Sequence, residues 1–355
     1  MDGRLTVEQG DIRSVLELLM RNLEHSGPTG LQKLGRLLRR LTRAFAQFNP
    51  AARAKEHVAH HYDLSGKLYD LFLDKDLQYS CAYFFGPSAT LEEAQIAKKR
   101  HIAAKLNLNH PGLSVLDTGC GWGGLALDLA RDSSANVLGI TLSEEQVAVA
   151  QQRAMDVGLE QRAKFDLIDY RAIEGQFDRI VSVGMFEHVG VRYYDAFFRK
   201  AAELLKDDGV MLLHTVGRVD GPGATNAWIA KYISPGGYAP ALSEVIAAIE
   251  RNGLIVTDVE VLRLHYADTL KEWQKRFQSQ RSQVAKLYDE RFCRMWECYL
   301  AGSEMAFRYD GEVVYQIQMA KRLDTLPATR DYMIDNERTL NFAGTTRTPH
   351  VSSAT

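Results

Sequence analysis

The chain has 355 residues, 46% of them hydrophobic and 25% charged, which is enough for the buried core of one large or two modest domains. A net charge of -2 argues against a surface built throughout for nucleic acid, and no apolar run approaches the roughly 20 residues that span a bilayer. Cys81, Cys120, Cys293 and Cys298 stand in no C-x-x-C spacing, so neither a metal site nor a disulfide framework is expected; with no basic, apolar leader the expected address is cytoplasmic.

In chain order, the first feature is an uneven distribution of charge. Between Ser26 and Lys55 there is no acidic residue, while Lys33, Arg36, Arg39, Arg40, Arg43, Arg53 and Lys55 all fall there. Leu31, Leu34, Leu37, Leu38, Leu41, Phe45 and Phe48 recur mostly at steps of three or four, the period of an amphipathic helix. Two readings stand: a solvated basic face on a domain helix, or a surface that meets anionic phospholipid heads and loosens as salt rises. Next comes HHYDLSGKLYDLFLDKDLQYSCAYF, whose tyrosines and histidines suit a site cover better than a core.

From Leu113 onward strand-like and helix-like segments alternate, the signature of a mostly parallel sheet covered on both faces. The expected strands are SVLDTG, NVLGIT, AKFDLID, FDRIVSVGM and GVMLLHTVG, with GEVVYQIQMAKR near the end. The helix pattern SEEQVAVAQQRAMD opens on a capping box of Ser143 and Gln146. After Gly217 a Gly/Pro-rich insertion reads as an active-site lid; helices are expected around Leu270 to Phe277 and Leu287 to Phe307, and a frayed tail from Thr345.

The glycines of VLDTGCGWGG let the backbone pass close to a ligand at the end of the first strand. A dinucleotide reader would want an acidic residue about 20 positions on, whereas here the second strand ends GITLSEEQ. Asp117 precedes the glycines, where a carboxylate can accept from an amino acid ammonium. The loop therefore favours S-adenosylmethionine over a nicotinamide cofactor, with a plain strand-to-helix turn still open. The fourth strand delivers Phe186, Glu187 and His188 to the edge where open α/β sheets bind ligands, and His214 stands inside an apolar run on the fifth.

Taken in order, HHYDLSGKLYDLFLD, QYSCAYF, VLDTGCGWGGLAL, GITLSEEQ, IDYRAI, FDRIVSVGMFEHVG, LLHTVG and HYADTL resemble the cyclopropane-fatty-acyl-phospholipid synthase family, which includes the mycolic acid cyclopropane synthases. The likeness covers residues 56 to about 322. It implies a class I S-adenosylmethionine methyltransferase fold, Rossmann-like α/β with a seven-stranded mostly parallel sheet and a helical N-terminal segment. The implied division is a partial, basic, lipid-associated region 1–55, a methyltransferase domain 56–330 and a tail 331–355. MDGRLTVEQG resembles a segment partway through the N-terminal domain of long bacterial members, so the chain is expected to begin inside that domain.

The resemblance further implies transfer of a methylene group across a cis double bond of unsaturated phospholipid acyl chains, at the inner membrane face, with bound bicarbonate as base. It places Cys81, Glu187, His214, Val216 and Tyr266 around the bicarbonate, with the rings of Tyr79, Tyr83 and Phe186 facing developing positive charge. Around the cofactor it places Tyr79, Ser80, Asp117, Gly119, Gly121, Gly123, Thr141, Ser143, Gln146, Asp169, Tyr170 and Arg171. Gln146 has two readings, a ribose contact or completion of the capping box. Many members carry a cysteine where this chain has Ser303, which removes a covalent thiol route at that position. A homodimer is expected on the family's habit alone. The alternatives are a lipid C-methyltransferase giving a methyl-branched or methylene product, an N-methyltransferase, and a non-catalytic membrane module; no N-P-P-Y-like motif supports a nucleic-acid methyltransferase.

Overall fold

The structure is a computed structural model, and it describes residues 1–4, 6–26 and 66–340. The basic stretch from residue 27 to 55 and the end of the chain beyond 340 lie outside the described residues. In chain order the helices before the sheet are α1 (Ile12–Ser26), α2 (Gly66–Asp70) and α3 (Leu91–Lys105). The alternating part runs β1 (Ser114–Thr118), α4 (Gly124–Asp132), β2 (Asn136–Thr141), α5 (Glu144–Asp156), β3 (Ala163–Leu167), β4 (Phe177–Val183), α6 (Tyr194–Leu204) and β5 (Leu205–Arg218). There follow α7 (Ala227–Tyr232), α8 (Leu242–Arg251), β6 (Ile255–Val261), α9 (His265–Ser279), α10 (Arg281–Leu287), α11 (Glu290–Tyr309), β7 (Glu312–Ala320) and α12 (Asp331–Thr339).

The seven strands form one sheet in the order β3-β2-β1-β4-β5-β7-β6. β1 to β5 pair in parallel, with α4, α5 and α6 as the crossovers and a short turn between β3 and β4, and β7 enters antiparallel between β5 and β6. The short apolar runs VLD, VLGI and IVSV become strands buried on both faces because helices cover both sides. One face packs on α6 and α8 through Phe186, Phe198, Val245 and Ile249; the other packs on α3, α4 and α5 through Ile102, Leu125, Leu129 and Ala150. A third cluster, with Phe72, Trp273, Phe277 and Trp296 at its centre, caps the carboxyl end of the sheet with α9 and α11.

Several expectations need correction. β6 (IVTDVEV) is absent from the six expected strands, because its polar residues hide an edge strand. GVMLLHTVG is the second half of a longer strand beginning at Leu205. The helix expected from Leu287 to Phe307 breaks at Tyr288, where Asp289 caps α11 by accepting from the Phe292 N–H. The capping box of Ser143 and Gln146 is half formed: Ser143 caps, but the Gln146 side chain turns inward and accepts from Thr141 Oγ1 at 2.7 Å. Residues 331–339 are a helix rather than a tail. α12 docks on α3, where the Glu337 carboxylate meets His101 Nδ1 at 3.0 Å and Asn336 Nδ2 donates to Asn107 Oδ1 at 3.2 Å.

Helix α1 is anchored from outside the sheet. Arg13 makes a two-pronged contact with Glu304 of α11, at 2.8 and 2.9 Å, and Glu304 is fully buried and also accepts from Arg308 at 2.8 Å. A buried carboxylate stripped of one of two guanidinium partners costs about 1–3 kcal/mol. Arg13→Met is therefore expected to loosen α1 by that amount while the sheet stays intact. Amide hydrogen exchange should show faster exchange over residues 12–23 and none of it in β1 to β5; unchanged exchange in α1 would count against the anchor.

Candidate active site

The carboxyl ends of β1, β2, β4 and β5 open onto two adjoining cavities. The smaller, of about 110 Å3, is lined by Gly119 and Gly121, by Thr141 and Gln146 after β2, by Asp169, Tyr170 and Arg171 after β3, and by Gly184 and Met185 after β4. The larger, of about 560 Å3, shares Gly184 and His188 with it and holds Tyr79, Ser80, Cys81, Glu187, His214, Val216 and Tyr266. The five residues expected around the base thus lie in one cavity, together with two of those expected around the cofactor.

The glycines have distinct reasons. Gly119 has φ +83°, and a Cβ there would stand 2.8 Å from Met185 Cβ, so the loop can follow β1 only with glycine. Gly121 has φ +55° and faces open space, as a ligand cradle requires. Gly123 lines neither cavity; its Cβ would meet Phe165 and Ala150 within 3.0 Å, which makes it a packing glycine.

Asp117 is 1% exposed at the end of β1, and burial raises its pKa to about 7 against the lowering influence of Lys98. Its Oδ2 has no hydrogen-bond partner among the described residues. Asp117 lines neither cavity but directly precedes the lining residues Thr118 and Gly119, and an unpartnered acceptor there fits the ammonium of an amino acid moiety. Asp169 caps the turn after β3 and holds Arg171 at 2.6 Å, and Arg171 lies over the Tyr170 ring, 5.4 Å from its centre. Ser143 is spent on its cap and lines neither cavity.

In the larger cavity Glu187 Oε1 accepts the Val216 backbone N–H at 2.6 Å, and Oε2 is buried without a partner among the described residues. Burial raises the Glu187 pKa to about 7, so this carboxyl changes protonation near neutrality. His214 is 2% exposed, and burial, reinforced by the charges of Lys98, Lys105 and His101, holds its pKa well below the usual imidazole value. As assigned, Gln316 Nε2 meets His214 Nδ1 at 3.2 Å as donor, so the neutral ring carries its proton on Nε2. Tyr266 packs against Trp273 and Phe307 at the cavity wall. The Cys81 thiol donates to Ala82 O at 3.3 Å and burial pushes its pKa far up, so its side chain is inert.

Of the three rings expected to face developing charge, Tyr79 alone lines a cavity; it stacks on Trp273 and shares a 3.0 Å hydroxyl contact with Tyr299. Phe186 is fully buried, stacked on Tyr194 in the core beneath α6, because the turn after β4 sends residue 187 to the cavity and residue 186 away. Tyr83 is clasped between the rings of His101 and His265 and lines neither cavity. Tyr69 and Phe72, from the segment read as a cover, are fully buried core residues.

The Gly/Pro-rich insertion forms α7 and contributes Trp228, Ile229 and Tyr238 to the larger cavity. Leu16 and Met20 of α1 complete that wall, as does Ser303 of α11. Sequence reasoning missed Lys98 and Glu312. Lys98 sits on α3 behind Ser80, and the Glu312 carboxyl, raised to about 7 by burial and Asp310, faces the larger cavity. Among the described residues no His, Cys, Asp and Glu cluster could hold a metal ion, and no helix is long and apolar enough to cross a membrane.

Residues 50–317 match the family model described as mycolic acid cyclopropane synthetase. The chain is 43% identical over 290 residues to a probable fatty acid methyltransferase of Pseudomonas putida, covering 78% of this chain and 73% of that one. It is 40% identical over 266 residues to the cyclopropane-fatty-acyl-phospholipid synthase of Escherichia coli K12, covering 74% and 67%. Among solved structures, the mycolic acid cyclopropane synthase CmaA1 complexed with SAH and CTAB superposes with a TM-score of 0.72 at 36% identity, over 77% of this chain and 99% of that one. The cyclopropane synthase MmaA2 from Mycobacterium tuberculosis has the same TM-score and coverage at 34% identity. The chain belongs to the mycolic acid cyclopropane synthetase family of S-adenosylmethionine-dependent enzymes.

Proposed function

We propose that the protein adds a methylene group from S-adenosylmethionine across a cis double bond of an unsaturated phospholipid acyl chain, with bicarbonate held as the base. The observation that carries this reading is the pairing of Glu187 and His214 in a cavity otherwise lined mainly by apolar and aromatic side chains. An amine substrate brings its own proton to lose and needs no such pair, whereas an isolated alkene does not. The Asp117 carboxylate and the Gly119–Gly121 cradle suit the cofactor, which supplies an electrophilic sulfonium methyl when bound.

The protein's own part is then to orient, to hold protons and to exclude water. The unpartnered Glu187 oxygen and the His214 Nε2–H present an acceptor or acid and a donor to a small oxyanion, and bicarbonate there would serve as the proton acceptor with the Glu187 carboxyl beside it to exchange the proton. Tyr266 and the backbone beside Cys81 and Val216 complete the set. Trp273, Tyr79 and Phe307 keep the surroundings dry, so that the alkene meets the sulfonium without competing water.

Incubating the protein with S-adenosylmethionine and vesicles of monounsaturated phospholipid is expected to add one methylene mass to the acyl chains and to produce high-field cyclopropyl protons by NMR. A mass gain with an open, methylated chain would favour instead the second reading, a fatty acid C-methyltransferase, which the name of the Pseudomonas putida relative supports.

Glu187→Gln keeps an acceptor for the Val216 N–H but cannot exchange a proton, and is expected to lower turnover by about 10²–10⁴-fold with cofactor affinity retained. The sign of its effect on stability follows from linkage. An acid whose folded pKa lies above its unfolded value binds protons more tightly when folded, so it stabilises less as pH rises through about 7. The variant should therefore melt higher than the parent at about pH 8 and gain less at about pH 5. Calorimetric midpoints that differ equally at both pH values would contradict the assignment.

A further inference from the structure

Helix α3 carries a buried cation that this chemistry leaves unused. Lys98 is 1% exposed, and its ammonium lies under the segment 78–81 that closes the larger cavity. It donates to Gln78 Oε1 at 2.5 Å and to Ser80 Oγ at 2.8 Å, and among the described residues it has no carboxylate in ion-pair contact. The cage around it is well fixed. Gln78 Nε2 donates to Asp76 Oδ2 at 3.0 Å, which sets the Gln78 amide with its oxygen toward the lysine. Gln95 Nε2 donates to Ser80 O at 3.0 Å and holds the backbone of the same segment.

The proton count at Ser80 then has one solution. An ammonium has donors and no lone pair, so the serine oxygen must accept in this contact and its own proton must point elsewhere. Ser80 lines the cavity, and among the described residues that proton has no acceptor. A hydroxyl polarised from behind by a positive charge is a strong donor, best matched to an anion. Asp117, buried at the end of β1 with an unpartnered Oδ2, also feels the Lys98 charge, which lowers its pKa. An α-amino acid group carries the two complementary charges, an ammonium for Asp117 and a carboxylate for Ser80.

We propose that Lys98 is a positioning residue that makes the Ser80 hydroxyl an obligate donor to the amino acid carboxylate of the cofactor. The proposal rests on the S-adenosylmethionine reading of the site. Lys98 itself touches neither cofactor nor substrate; it acts by denying Ser80 any other role.

The test is titration calorimetry of the full chain with S-adenosylhomocysteine and with 5′-methylthioadenosine, which keeps the nucleoside but lacks the amino acid group. Lys98→Met is expected to weaken S-adenosylhomocysteine binding about 10- to 100-fold, the worth of a hydrogen bond to a charged group, and to leave 5′-methylthioadenosine within about twofold. Ser80→Ala should show the same discrimination, and the double variant should bind no more weakly than Ser80→Ala alone. Equal loss for both nucleosides, or fully additive losses in the double variant, would overturn the proposal. If Lys98→Met does not fold, Ser80→Ala still decides, since equal loss for both ligands there removes the donor on which Lys98 acts. A parent protein that binds neither nucleoside would sink the cofactor reading itself, a result distinct from a failure to discriminate.

Discussion

The 2.6 Å hydrogen bond from the Val216 N–H to Glu187 ties the turn after β4 to the carboxyl end of β5, and the rest of the site depends on it. β4 and β5 run parallel with Val183 opposite His214, and the Gly184 N–H donates to His214 O at 2.9 Å as the chain leaves the sheet. That register brings the turn carrying Glu187 beside Val216. The two-residue period of β5 then puts His214 and Val216 on the same face. A slip of one residue would turn both away and leave Glu187 without its donor. β7 enters on the same terms: its antiparallel register sets Gln316 opposite His214, where it meets the ring nitrogen that the cavity does not use.

Such an arrangement is costly to build. Asp117, Glu187, His214 and Lys98 are ionisable groups removed from water, and each is displaced toward its neutral form by burial. The opposing contribution comes from the apolar clusters around them. Phe72 meets Trp273, Phe277 and Trp296 edge-on with ring centres 6.0 to 6.5 Å apart, and Tyr79 stacks on Trp273, so the cap over the sheet is a continuous aromatic packing. The same packing that stabilises the cap keeps water from the carboxyl edge, so stability and the unusual protonation states share one cause.

What was legible in the sequence follows from this physics. β1, β2, β4 and β5 announce themselves as apolar runs because both faces of the sheet are covered, and the glycines of the first turn stand out because Gly119, Gly121 and Gly123 all take positive φ, Gly119 and Gly123 with no room for a Cβ. β6 was not legible, since Asp258 within it reads as a surface residue although it is buried beside Lys105 and Arg330. Helix α3 was overlooked for the same reason. Lys98, Lys99, Arg100 and Lys105 suggest a solvated face, yet all four are buried, Lys99 between Asp76 and Asp128. Charge patterning assumes that cations seek water, and here their partners are supplied by residues distant in sequence. Phe186 failed in the opposite sense: adjacency to Glu187 suggested a shared site, whereas the turn between them separates cavity from core.

Helices α1 and α11 together show how the cavity extends past the residues 50–317 that match the family, since α1 lies outside that match. Gly302, Ser303 and Ala306 line it, while Glu304 between them faces Arg13 and draws α1 against the wall, so that Leu16 and Met20 help to enclose the cavity. The enclosure also narrows the chemistry available inside. Ser303 offers no thiol, and the thiols of Cys81, Cys120, Cys293 and Cys298 are all pushed up by burial, so none presents a thiolate near neutral pH. Tyr79 and Tyr299, whose hydroxyls are shared with each other, are likewise held protonated. Among these groups, the Glu187 carboxyl and the neutral His214 ring are the ones that join a proton site to a fixed geometry, and both are set by the register of β4, β5 and β7. The sheet thus determines the chemistry, and the helices determine what reaches it.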